Sequence, residues 1–137
     1  MNADAPGSWH IWAVGLLGAA WNAFGCYIYT MAMIRDPDTL AAAPPAMVAA
    51  LEAAPAWSNG AWAFGVWGGL TGCVLLLLRS RFAVAAFCIS LAGLIGSTTY
   101  EVLYAVPVDR VQQATIWLMA LALLGYALFL RRRGLLR

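Results

Sequence analysis

The residues of this chain that could do chemistry are few, and most of them fall at one depth. Tyr27, Tyr29, Trp57, Asn59, Trp62, Tyr100, Glu101 and Tyr104 all sit toward the same end of the apolar segments that carry them, with Asn22 further in. Flat aromatic faces with amides and one carboxylate beside them suit a ring-bearing ligand, sugar-like or quinone-like, held by stacking and by a few polar contacts. An aromatic belt at a membrane interface also collects Trp and Tyr, but it does not call for Asn59 and Glu101 among them. The remaining candidates argue against other chemistry. His10 is the only histidine, which excludes bis-histidine haem and leaves no basis for a histidine metal site. Cys26, Cys73 and Cys88 form no CxxC pair and read as small packing residues. No nucleophile with an adjacent base, no phosphate loop and no carboxylate dyad is present. The chain reads as no enzyme, with no metal or other cofactor and no nucleic-acid partner.

The elements that must position these residues follow from composition. The chain has 137 residues, of which 64% are hydrophobic and 10% charged, well outside the norm for soluble domains. A helix of about 20 apolar residues crosses a hydrocarbon core about 30 Å thick. Four runs reach that length: 10–34, 57–78, 82–104 and 113–130. The expected fold is therefore an all-α, polytopic membrane protein, a four-helix transmembrane bundle in one domain covering 1–137. Runs such as CVLLLL do not alternate as barrel strands do. No Lys or Arg precedes the first run, which is too long for a signal-peptide core and is expected to stay.

Orientation follows from the arginines. Lysine is absent, and six of the eight arginines (Arg79, Arg81, Arg131, Arg132, Arg133, Arg137) fall on one side of the four runs. Arg35 and Arg110 share the other side with Asp36, Asp38, Glu52, Glu101 and Asp109, whereas Asp4 in the N-terminal tail pulls weakly against the assignment. The positive-inside rule places both termini in the cytoplasm of a bacterial inner membrane and the 35–56 connection in the periplasm. In that connection Pro37, Pro44 and Pro45 break the first helix, and AMVAALEAA predicts a single short helix lying on the membrane surface.

The stretch GVWGGLTG at 65–72 spends four of eight positions on glycine. Four glycines would cost a water-soluble helix about 1 kcal/mol each. Between membrane helices the same residues permit close backbone approach, where lipid offers no hydrophobic gain for packing. Gly65 with Gly69 and Gly68 with Gly72 form overlapping small-xxx-small pairs, and Ala61, Gly65, Gly68 and Gly72 share a face. Gly15, Gly18, Asn22, Gly25 and Tyr29 make a matching stripe on the first helix, and Ala86, Ser90, Gly93, Ser97, Tyr100 and Tyr104 make one on the third. Asn22 either hydrogen-bonds across to Ser90, Ser97 or Thr71 or contacts a ligand. Glu101 reads either as a solvated helix-end carboxylate or as part of the aromatic cluster. The fourth run, with Leu118, Leu121 and Leu128 around Gly125, reads as the lipid-facing outer helix.

Small four-helix multidrug transporters need a carboxylate in the middle of helix one, where Trp21 and Asn22 stand here, so proton-coupled export of that type does not fit. Three stretches, LLGAAWNAFGCYIYTM, PAWSNGAWAFGVWGGLTGCVLLLLRSRFAV and SLAGLIGSTTYEVLY, carry a different resemblance. Across them the chain resembles a family of small bacterial inner-membrane proteins with four helices, often labelled sugar transporters. The resemblance implies fold and location but no particular site residues. Two functions are expected. The first is a non-catalytic accessory subunit that packs, through Gly15, Gly18, Gly25, Gly65, Gly68, Gly69, Gly72 and Gly93, against a larger membrane complex or copies of itself. The alternative is a small solute carrier or ligand-binding bundle using Asn22, Asn59, Trp62, Tyr100, Glu101 and Tyr104.

Overall fold

A computed structural model describes residues 9–137; the tail carrying Asp4 lies outside the described residues. Six helices follow one another: α1 Trp9–Met33, α2 Pro37–Ala42, α3 Pro45–Ala53, α4 Ala56–Leu77, α5 Phe82–Leu103 and α6 Arg110–Arg132, with no strand among the described residues. α1, α4, α5 and α6 are each long and apolar enough to cross a membrane. Their outward side chains are large and apolar, with Leu17, Phe64, Val102 and Leu118 all more than half exposed.

Two boundaries differ from the sequence expectation. α6 begins at Arg110 rather than Gln113, because the Asp109 carboxylate accepts the Gln112 N–H at 2.8 Å and caps the extra turn. The 35–56 connection holds two short helices instead of one. Asp36 accepts the backbone N–H of Thr39 at 3.0 Å and its hydroxyl at 2.8 Å, while Pro37 occupies the first turn, so the Asp-Pro pair that ends α1 also starts α2. Those two hydrogen bonds, the backbone one foremost, hold the Asp36 carboxyl below the ordinary aspartate range. α2 and α3 fold over one end of the bundle, here the loop end; the opposite end, where the arginines gather, is the arginine end.

The glycines divide by neighbour. Gly65, Gly68 and Gly72 face α5: a Cβ on Gly68 would lie 3.1 Å from the Ser90 backbone N, and one on Gly72 would lie 2.6 Å from the Phe87 ring. Gly93 answers from α5, where an added Cβ would run into the backbone of Gly65, Ala61 and Phe64. The Ser90 hydroxyl donates to the Gly65 carbonyl at 2.5 Å across this contact. Gly69 faces the other way and gives room to Asn22 of α1. The α1 glycines receive side chains rather than backbone, Gly15 taking Leu77, Gly18 taking Cys73 and Leu123, and Gly25 taking Val66.

Tight packing is concentrated at the arginine end. Ile11, Cys73, Leu76 and Leu130 are fully buried there, with Phe87, Leu123 and Ala127 around them. His10 of α1 and Tyr126 of α6 are hydrogen-bonded with their rings edge-on at 5.9 Å. The C-terminal residues tuck back onto the α4–α5 turn: the Arg81 N–H donates to the Arg137 carbonyl and the Arg137 N–H to the Arg79 carbonyl, both at 2.7 Å, and Leu136 is buried. At the loop end the bundle is hollow.

Candidate ligand cavity at the loop end

Small residues let α4 and α5 touch, and beside that contact, at the loop end, lies a cavity of about 260 Å³. Ile28 and Ala32 of α1, Asn59 and Trp62 of α4, and Ser97, Tyr100 and Glu101 of α5 form its walls. Leu40 of α2 and Met47 and Leu51 of α3 roof it, so the 35–56 connection forms a lid over the cavity. Tyr100 holds the lid by donating its hydroxyl to the Ala50 carbonyl at 2.9 Å. Arg35 and Glu52 add an exposed ion pair at 3.5 Å, which contributes little. Trp62 is set edge-on to Tyr29, with ring centroids 5.1 Å apart, and Tyr100 edge-on to Trp57 at 6.0 Å.

A second cavity of about 360 Å³ opens where α6 stands off from α1 and α4. It runs from Asp109, Gln112 and Gln113 at the loop end down to Asn22, Gly69 and Leu123. The two cavities share Ile28, Met47, Trp62, Ser97 and Glu101 as a common wall. The second volume falls in the range of small-molecule pockets, about 300 Å³ upward, and the first lies just below it.

Of the residues singled out in the sequence, Asn59, Trp62, Tyr100 and Glu101 come together on the first cavity, and Asn22 lies at the foot of the second. Glu101 is half-buried and turned toward α6, where its Oε2 accepts from Gln113 Nε2 at 2.9 Å. Tyr104 is 62% exposed and lies outside both cavities, against Tyr100 with ring centroids 4.8 Å apart and the planes tilted by 36°. Tyr27 and Trp57 are likewise about half exposed or more. Asn22 does not pair with Ser90, Ser97 or Thr71. Its Nδ2 donates to the Gly18 carbonyl at 2.8 Å and approaches Cys73 Sγ at 3.8 Å, because α4 meets that face of α1 through Gly69 and Cys73, while Thr71 of the same helix is exposed. Ser97 Oγ is left buried with no hydrogen-bond partner among the described residues.

Gln113 escaped the sequence reading, which used it only as a helix boundary. Its signal was available: it opens an apolar run on the same side as Glu101, after a connection too short to carry it elsewhere. Ile28 and Met47 gave no signal, since neither differs in type from the apolar residues around it. No protein-family model, no curated protein and no solved structure matches the chain.

Proposed function

We propose that this protein is a ligand-binding bundle of a bacterial inner membrane, with both termini in the cytoplasm and the lidded cavity facing the periplasm. The supporting observation is the convergence of Trp62, Tyr100, Asn59 and Glu101 on one partly open cavity beneath α2 and α3. Aromatic walls stack a ring, and the amide and carboxylate orient its polar substituents. Orientation rests on six arginines at the arginine end against two at the loop end.

The accessory-subunit reading has less to stand on. It required free glycine faces, and Gly65, Gly68, Gly72 and Gly93 are spent on the α4–α5 contact while Gly15, Gly18, Gly25 and Gly69 are spent between α1 and its neighbours within the chain.

The test is saturable quenching of tryptophan fluorescence by a short-chain benzoquinone in neutral detergent, compared with an Ala54→Phe variant that fills the cavity from the lid side. Quenching that saturates in the parent protein and is lost in the variant supports the reading. Linear, unsaturable quenching in both would remove it.

A further inference from the structure

The ligand-binding reading leaves the class of ligand open, and the electrostatics of the shared wall narrow it. Neither cavity is lined by any Arg or His, yet together they carry two carboxylates, Glu101 and Asp109. Asp109 is exposed and already caps α6 through the Gln112 N–H, and Arg110 beside it is exposed and no part of the lining. Glu101 is half-buried, and the hydrogen bond it accepts comes from the uncharged amide of Gln113. The only ion pair among the described residues is Arg35–Glu52, so Glu101 has no protein counter-charge. Half-burial of a carboxylate with no cation beside it is costly, and a cationic ligand would relieve that cost.

The surroundings of Glu101 complete a receptor. Ser97 lies one turn before it on the same face of α5 and presents a buried, unpartnered hydroxyl to the same wall. Trp62 closes that wall, and Trp21, Phe24 and Phe87 line the α6 cleft below. Aromatic faces attract cations as well as rings, and a cavity with negative charge and low-dielectric walls concentrates cations.

We propose that the ligand is an organic cation, an amine carried on an aromatic body, with its ammonium between Glu101 and Ser97 where the two cavities meet and its ring in the α6 cleft. An ammonium has three donors, which suit the Glu101 carboxylate and the Ser97 hydroxyl together. A carboxylate ligand would face Glu101 with like charge, and a neutral hydroxyl ligand would leave the Glu101 charge uncompensated. The inference rests on the ligand-binding reading above and specifies it.

The experiment titrates the full chain in neutral detergent with three probes of one shape: phenethylamine, 2-phenylethanol and phenylacetate. Tryptophan fluorescence is the readout. A charge-assisted hydrogen bond implies that the amine binds about tenfold to a hundredfold more tightly than the alcohol, with phenylacetate weakest. Glu101→Gln, which keeps an acceptor for Gln113, removes the amine's advantage over the alcohol. Asp109→Asn, which keeps the α6 cap, preserves that advantage. Equal binding of amine and alcohol, or an amine preference that survives Glu101→Gln, would overturn the cation assignment while leaving the cavity as a ligand site. Failure of all three probes to bind saturably would overturn the assignment, and saturable benzoquinone quenching abolished by Ala54→Phe then separates that outcome from failure of the cavity itself.

Discussion

Glu101 of α5 and Gln113 of α6 are joined by a single hydrogen bond of 2.9 Å, and the same Gln113 amide reaches Thr98 Oγ1 at 3.0 Å. Trp117 Nε1 adds a donor to Thr98 at 3.3 Å. These contacts pin the loop end of α6, whereas His10–Tyr126 and the Leu123, Ala127 and Leu130 packing hold its other end. The cleft lies between the two attachments.

Gln113→Ala removes the latch and leaves a half-buried carboxylate without its donor, at a cost of about 1–3 kcal/mol. Amide exchange in the first two turns of α6 should accelerate, with the turns around Tyr126 unaffected. Uniform acceleration along α6 would contradict a local latch.

The two classes of glycine predict opposite outcomes. Gly93→Ala forces a methyl into the α4 backbone and should lower stability by about 1–3 kcal/mol in detergent unfolding. Gly125→Ala meets nothing within 4 Å and should be neutral or stabilising by up to about 1 kcal/mol. Equal effects would show that α4 and α5 do not approach through backbone.

Just past the Tyr104 cap of α5, Ala105 takes φ 49°, and the Val106 N–H reaches back to the Glu101 carbonyl at 2.9 Å. A left-handed alanine costs about 1 kcal/mol, so Ala105→Gly should stabilise by up to about that amount, less the entropy glycine adds to the unfolded chain. Thermal unfolding measures it, and a lower midpoint for the variant would argue against this helix end.

Asp36 gives the lid a pH dependence. Its carboxyl is held below the ordinary range in the folded protein, so the stabilisation is fully present above the unfolded value of about 3.9 and is lost as pH falls through the lower folded value. Amide exchange of α2 should rise at acid pH relative to Asp36→Asn, which keeps a capping oxygen that does not titrate. Matching profiles for the two proteins would remove Asp36 as the cause.

Much of this architecture was legible because membrane helices advertise themselves. Runs of about 20 apolar residues located α1, α4, α5 and α6 to within a few positions, and spacing of three and four marked Gly65, Gly68 and Gly72 as one face. Spacing did not reveal that Gly69, one position from Gly68, serves a different neighbour, since that depends on where α1 docks. α2 was hidden because Asp36-Pro37 signals a helix end and a helix start with the same two residues. At the site, Trp62, Tyr100, Asn59 and Glu101 were legible from type and depth. The lid was not, because Leu40, Met47 and Leu51 are ordinary apolar residues whose role comes from folding back over the bundle.

A ligand should reach and fill the space at the wall shared by the two cavities, where Ile28 of α1 stands partly exposed. The decisive measurement is the reactivity of Ile28→Cys, in a chain whose Cys26, Cys73 and Cys88 are replaced by alanine, toward a small thiosulfonate reagent with and without saturating phenethylamine or benzoquinone. Labelling that proceeds in the free protein and slows several-fold with either ligand is the predicted result. A thiol that never reacts, or one whose rate neither ligand changes, would contradict it.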